Sequence, residues 1–376
     1  MTEPVLVVNV IRTGDLSSTS TVDYRTIDDP AAIPCNPAVA PQPPQPTAYA
    51  RCDYATTIDT LTFAPGESQK TFRIPLINDG YVEQPETFTI VLSNPQGAVL
   101  GAPSSATVTI FSDDTVASNP VNNHQFFVRQ QYLDFLSREP DSGGFNAWLS
   151  LLNNCPNSFN VDPNSSSAGC DRITVSSSFF RSQEFEIKGL YVYKFYRVAF
   201  HDPPNSLPAY SDISRDMRLV TGQTAAEVFA KRAAFAATFV QGTRFGTMYN
   251  PLSNSAYVSN LLNPYGLSAI TTIDPANPDT GAQVVLMNSD LVTRLNNLTM
   301  TRAQVLRAIV QSQEVNAVEF NGAFVAMQYY GYLRRTPEES GYTAWLNYLN
   351  ANPTDFRTMV WGFLYSLEYA LRFGPI

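Results

Sequence analysis

The spacing of apolar residues changes once along this 376-residue chain, and that change calls for two different kinds of core. Up to about residue 115 the period is two. Thr71-Phe72-Arg73-Ile74 and Thr107-Val108-Thr109-Ile110 set apolar side chains against Thr and charge, the pattern of half-buried strands. Val5 to Arg12 reads as an apolar strand, Thr13-Gly14-Asp15 as a turn and Thr19 to Thr26 as a second strand. Strands resume at Leu61-Thr62-Phe63, followed by the turn Ala64-Pro65-Gly66-Glu67. Residues 30–51 carry too much proline to pair in a sheet and are expected as an exposed loop. From His124 the period becomes helical. Val128, Tyr132, Phe135 and Leu136 share one face, as do Phe145, Trp148, Leu149 and Leu152 after the break at Pro140 to Gly144. Asp141 or Ser142 is placed to cap the second of these helices. The expected architecture is α+β in two domains. An antiparallel, immunoglobulin-like β-sandwich over 1–115 leads through a linker at 116–123 to an all-α domain over 124–376.

The helical part repeats itself. Residues 324–350, FVAMQYYGYLRRTPEESGYTAWLNYLN, align without gaps on 127–153, FVRQQYLDFLSREPDSGGFNAWLSLLN, with 13 of 27 positions identical. The matches include Tyr132/Tyr329, Arg138/Arg335, Pro140/Pro337, Gly144/Gly341 and Trp148/Trp345. A weaker copy begins near Leu190. A shorter motif occurs four times, as FFRSQEF, FVQGTRF, IVQSQEV and FLYSLEY from Phe179, Phe239, Ile309 and Phe363. Each reads as the end of one helix running into the next. Repetition with a tryptophan in register marks repeated helix–turn–helix units.

Charge and composition exclude several classes of function. A net charge of −9 does not suit phosphate-backbone binding, which needs clustered Lys and Arg, so no nucleic-acid partner is expected. No run of about 18 apolar residues is long enough to span a bilayer. The two histidines, His124 and His201, belong to no His-Glu-x-x-His, and neither Gly-x-Ser-x-Gly nor Gly-x-x-x-x-Gly-Lys occurs, so a non-catalytic chain is expected. A carboxylate-based glycan hydrolase is the least favoured reading. Cys35 and Cys52 bracket the Pro-rich insert, and Cys155 and Cys170 bracket an Asn/Ser-rich loop. Neither pair has the close Cys-x-x-Cys spacing or nearby His of a zinc site, so two local disulfides are expected, each worth about 3 kcal/mol by loop closure. Disulfides imply an oxidising compartment, yet MTEPVLVVNV has no basic stretch leading into an apolar one. The expectation that reconciles the two is that the chain is the C-terminal part of a longer exported protein.

The acids in the β-part fall where strands end. Asp53, Asn78-Asp79, Glu83, Glu86 and Asp113-Asp114 lie between or after the strands. Two carboxylates 4 Å apart cost about 4 kcal/mol at an effective dielectric of 20, which a divalent cation would reverse. Six to eight such oxygens suit calcium. Without a cation, the same acids would solvate loop ends and deter edge pairing.

These positions resemble the Calx-beta family of calcium-binding sandwich modules. The resemblance implies Asp53, Asn78, Asp79, Glu83, Asp113 and Asp114 as metal ligands, with calcium held weakly, at about 0.1–1 mM. The chain departs from the family pattern in three ways. The family's first strand is expected to lie before residue 1 or to be missing, Asn78 replaces an acid, and the cysteine-flanked insert lies beside Asp53. The turn Arg138-Glu139-Pro140-Asp141-Ser142-Gly143-Gly144, between a tyrosine helix and a tryptophan helix, resembles the bacterial domain-of-unknown-function family numbered 4214. That resemblance covers roughly 124–372 and implies cell-surface or extracellular use.

Three further features have structural readings. Trp148 and Trp345 lie within apolar stripes and are expected in the core. Arg138 and Arg335 are expected to bond helix-end carbonyls or an acid such as Glu184. Asp274, Asn277, Asp279 and Gly281 fit a Pro-rich Asx turn better than a calcium loop, because no bidentate Glu follows. The expected function is a calcium-binding module of an exported cell-surface protein that carries a helical interaction domain. The alternative is a metal-free spacer whose helical repeats hold a surface polysaccharide or a neighbouring protein.

Overall fold

The computed structural model describes residues 4–28, 48–49, 52–115, 118–165, 169–201, 207–222 and 224–376. Most of the Pro-rich insert and Cys35 lie outside them, and with Cys35 the first expected disulfide. The fold is α+β, an antiparallel β-domain followed by a helix-rich region. Contacts divide it into two compact units. One comprises residues 1–179, 331–334 and 356–376, and the other 180–330 and 335–355.

Among the described residues of the first unit, six strands form two sheets. β1 (Val5–Ile11), β2 (Ser20–Ile27), β3 (Ile58–Phe63), β4 (Gln69–Pro75), β5 (Glu86–Gln96) and β6 (Ser105–Ile110) are all antiparallel. One sheet has the order β3-β2-β5-β6, and the other pairs β1 with β4. Alternation decides which side chains face the interior. Val10, Phe72 and Ile74 of the small sheet meet Val22, Tyr24, Leu61, Phe63, Phe88 and Ile90 of the large one. Tyr24 stacks on Phe72 with centroids 3.9 Å apart, and Tyr54 on Phe88 at 4.0 Å. The register Glu86↔Ile110 brings the start of β5 beside the end of β6. The bridge Tyr54↔Leu76 ties the segment around Asp53 to the end of β4.

The same unit contains the first copy of the helical repeat. Helix His124–Gln131 runs into a π-helical turn at Tyr132–Leu136, which ends at Ser137 with φ of 55°. Helix Ser142–Asn153 begins where the Asp141 carboxylate accepts from the Gly144 N–H at 2.8 Å. A Cβ on Gly144 would lie 2.2 Å from the Tyr132 hydroxyl, so the conserved pattern of the two copies requires glycine there. The second copy behaves alike. Tyr329–Leu333 is π-helical, Arg334 has φ of 54°, and a Cβ on Gly341 would lie 2.2 Å from the Tyr329 hydroxyl. Cys155 and Cys170 form the expected disulfide.

In the second unit, aromatic side chains make the core. Tyr191, Phe195, Phe235 and Phe239 pack edge-on or tilted against one another, and Phe245, Tyr249 and Tyr257 continue the cluster. Residues 124–376 are not wholly α-helical. A hairpin pairs β7 (Ala269–Ile273) with β8 (Gln283–Met287), because the turn between them is fixed locally. Asp274 accepts from the Ala276 N–H at 3.0 Å, and the Gly281 N–H donates to Asn277 O at 2.7 Å. Asp279 is occupied by Arg232 at 3.0 Å and Arg307 at 2.5 Å, a structural ion cluster rather than a cation loop.

The short fourfold motif is a helix junction in all four places. The helix ends at Phe180, Val310 and Leu364 are followed at the second residue by Ser182, Ser312 and Ser366, and the end at Phe239 is followed at the third by Gly242. The three serine hydroxyls accept from the N–H groups of Phe185, Val315 and Tyr369 at 3.1–3.3 Å. Trp148 and Trp345 are half-buried rather than in the core. Arg138 lies over the Tyr132 ring and Arg335 over Tyr329. Arg138 also donates to Glu139 O at 3.0 Å, and Arg335 pairs with Glu338. Glu184 pairs with Lys188 at 2.5 Å.

Candidate metal centre

Three chain segments converge at one end of the β-domain. Asp53 sits in the turn before Tyr54, and its carbonyl accepts from the Ile77 N–H at 2.9 Å. That pairing places Asp53 beside the strand end that leads to Asp79. Burial alternates from there, with Ile77 buried, Asn78 exposed and Asp79 buried. The loop continues to Glu83 and enters β5 at buried Glu86. Asp114 follows β6 half-buried, while Asp113 is exposed.

Asp53, Asp79 and Glu83 each bring a carboxylate oxygen within 4.8 Å of the other two. Donors around a single calcium ion at 2.3–2.6 Å can be separated by up to about 5 Å, so this spacing fits one ion. Asp53 and Asp79 are only 7% and 9% exposed, and Glu86 5%. Among the described residues, no Lys or Arg pairs with any of these acids. Asp53 accepts from the Tyr49 N–H at 2.5 Å, and Asp79 from the Tyr81 N–H at 2.8 Å. The Asp53 and Glu86 carboxyls lie close enough to act on each other electrostatically. Asp28 accepts from the Tyr54 hydroxyl and adds its charge near Asp53.

The electrostatics follow from burial without a counter-charge. Burial raises Asp53, Asp79, Glu83 and Glu86 above the ordinary carboxylate range, and their neighbours' charges push the same way. For Asp79 and Glu86 the neighbours include Glu83 and Asp53, and for Glu83 it is Asp114. Asp114 is raised by burial and by Asp113. Buried carboxylates either keep protons or share a cation. The donors are all oxygen, with no His or Cys, so the set suits a hard cation.

The structure therefore gathers three of the six expected ligands closely, with Asp114 at the edge. Asn78 and Asp113 face solvent. Glu86 and Asp28 were not in the expected set although they border it. Glu86 carried a signal in the sequence, since it starts an alternating strand with its first residue on the same side as Phe88 and Ile90.

Residues 2–36 and 45–114 match the Calx-beta domain model. Sodium/calcium exchanger 1 of Mus musculus is 37% identical over 121 residues, covering 27% of this chain and 11% of that protein. The sodium/calcium exchanger Calx of Drosophila melanogaster is 36% identical over 108 residues, covering 28% of this chain and 10% of that protein. The crystal structure of the calcium binding domain CBD12 of CALX1.1 is 34% identical and covers 29% of this chain and 40% of that one, with a TM-score of 0.24. The chain thus corresponds to about a tenth of the length of these exchangers. Its N-terminal domain is a Calx-beta domain.

Proposed function

We propose that this Calx-beta domain binds calcium through Asp53, Asp79 and Glu83, with Asp114 and Glu86 beside them, as a non-catalytic module of an exported surface protein. The observation that carries the reading is the convergence of two buried carboxylates and a half-buried one with no Lys or Arg among their described partners. In such a setting a divalent ion replaces protons that the acids would otherwise retain. The matched relatives are named for sodium/calcium exchange, which agrees with the ion chosen from the donor chemistry. The Cys155–Cys170 disulfide supports an oxidising compartment. The helical repeats supply the surface the module carries. Trp148 and Trp345 are half-buried at equivalent positions and favour a polysaccharide or protein partner there.

Calorimetric titration of the full chain with calcium tests the reading, in parallel with an Asp79→Ala, Glu83→Ala variant. Saturable binding in the wild type, lost in the variant, is expected. No binding up to about 5 mM, above the range of extracellular sites, would leave a metal-free spacer.

A further inference from the structure

The loop that supplies Asp79 is also the surface on which the end of the chain rests. Within the first unit, the Gly80 N–H donates to Phe373 O at 2.8 Å, and Gly80 O accepts from the Ser118 N–H at 3.0 Å. The Tyr81 hydroxyl donates to Leu371 O at 2.8 Å. On its other side, Tyr81 O accepts from the Ser112 hydroxyl at 3.3 Å, and that hydroxyl accepts from the Asp114 N–H at 3.3 Å. Residues 79–81 thus touch both the acid cluster and the last turn of the chain.

The fit allows no slack. A Cβ on Gly80 would lie 1.8 Å from Ser118 O, and one on Gly374 would lie 2.0 Å from the same oxygen. The Asn119 amide donates to Ala370 O at 2.9 Å and Gly374 O at 2.8 Å, closing the linker onto the same segment. That segment is itself fixed. Phe373 is buried, and Arg372 donates to Asp134 and to the carbonyls of Gly331 and Tyr332. The chain end therefore holds the Asp79–Tyr81 backbone from outside, while the Asp79 carboxylate faces the acid cluster from inside.

We infer that calcium binding and the docking of residues 371–374 are thermodynamically coupled, a coupling that rests on the calcium reading above. An ion that fixes Asp79 and Glu83 restricts the backbone between them, which is the backbone the chain end bonds. By linkage the effect is reciprocal: a docked chain end raises calcium affinity, and calcium tightens the docked end. The β-domain then does more than hold an ion, because occupancy is transmitted to the helices that carry the C-terminal segment.

The test uses the full chain, calcium chloride against chelator, and two variants. Tyr81→Phe removes one hydrogen bond to Leu371 and leaves every carboxylate in place. Gly80→Ala forces the loop away from Ser118. Tyr81→Phe is expected to weaken calcium binding about fivefold, the worth of one hydrogen bond, and Gly80→Ala more. Hydrogen exchange is expected to slow at the amides of 371–374 when calcium is added to the wild type, and less so in Tyr81→Phe. Wild-type calcium affinity in both variants, with exchange at 371–374 indifferent to calcium, would overturn the coupling alone. Absence of calcium binding to the wild type would overturn the site assignment, and the coupling with it.

Discussion

Calcium should raise the melting temperature of this protein by an amount that the site itself bounds. The perturbation is a change from chelator to 5 mM free calcium at pH 8. A site in the extracellular affinity class, about 0.1–1 mM, gains about 1 to 2.3 kcal/mol by mass action at that concentration. The first unit holds about 200 residues, for which 1 kcal/mol moves the midpoint by about 2–4 °C. The expected shift of that unit's transition is therefore about 2 to 9 °C, read by scanning calorimetry. The direction with pH follows from the raised carboxyls. Asp53 and Glu86, raised in the folded chain, bind more protons there than when unfolded. Their contribution to metal-free stability is fully present below the ordinary values of 3.8 and 4.5, and is lost as pH rises through the raised ones. In chelator the first unit should thus be less stable at pH 8 than at pH 5.5. Calcium must displace those protons, so its stabilising shift should be larger at pH 8 than at pH 5.5. A shift below 1 °C at pH 8, or an equal shift in Asp79→Ala, Glu83→Ala, would refute the reasoning.

Three other outcomes are specific. Asp134→Asn removes the charge of a fully buried carboxylate that faces the guanidinium groups of Arg334 and Arg372 and accepts from Gln130. It should cost about 3–5 kcal/mol in denaturant titration, whereas an exposed Asp113→Asn should change stability by less than about 0.5 kcal/mol. Asp171 is held below the ordinary carboxylate value because hydrogen bonds from Asn160, Arg357 and Thr174 outweigh the effect of burial. The stability it contributes is present above 3.8 and lost as pH falls through the lowered value, so Asp171→Asn should flatten the acid limb of the stability–pH curve. Gly144→Ala should destabilise by about 1–3 kcal/mol through the Tyr132 hydroxyl. Most of that loss should vanish in a Tyr132→Phe background, as measured by a double-mutant cycle.

Where the sequence carries a period, the structure could be read from it. Each strand expected in the β-domain is present, shifted by a few residues at its ends, because one face of it is buried. The hairpin β7–β8 escaped because five residues either side of a Pro-rich turn are too few to separate a strand from the helices around it. The half-burial of Trp148 is another kind of miss. The apolar stripe is real, but of the helix Ser142–Asn153 only Leu152 is fully covered, and a stripe does not report how deep it lies. For the acids, position along the chain was legible and sidedness was under-used. Asn78 and Asp79 are neighbours beyond the end of β4, and the first is exposed where the second is buried. The same holds for exposed Asp113 beside half-buried Asp114. In each adjacent pair only one acid position turns inward, and burial beyond the strand ends follows the same alternation as within them.

The repeats show a related limit, because identity between copies marks shared internal demands while difference marks what each copy touches. Tyr132/Tyr329 and Gly144/Gly341 match since each glycine lies beneath its own copy's tyrosine hydroxyl. Asp134 and Gly331 occupy equivalent positions and share nothing chemically. The Phe135 ring stands where a Cβ on Gly331 would be, at 1.8 Å, so the second copy has no room for a side chain there. The first copy has room, and fills it with the carboxylate that receives Arg334 from the second copy and Arg372 from the chain end. Arg334 in turn stands where the first copy has Ser137. Residues 331–334 belong to the same compact unit as the first copy, so this asymmetry is what one unit needs from two copies of a single sequence pattern. The chain end that Asp134 anchors through Arg372 is the same one that meets Gly80 and Tyr81. Divergence between the copies thus contributes to the surface on which the cation loop rests.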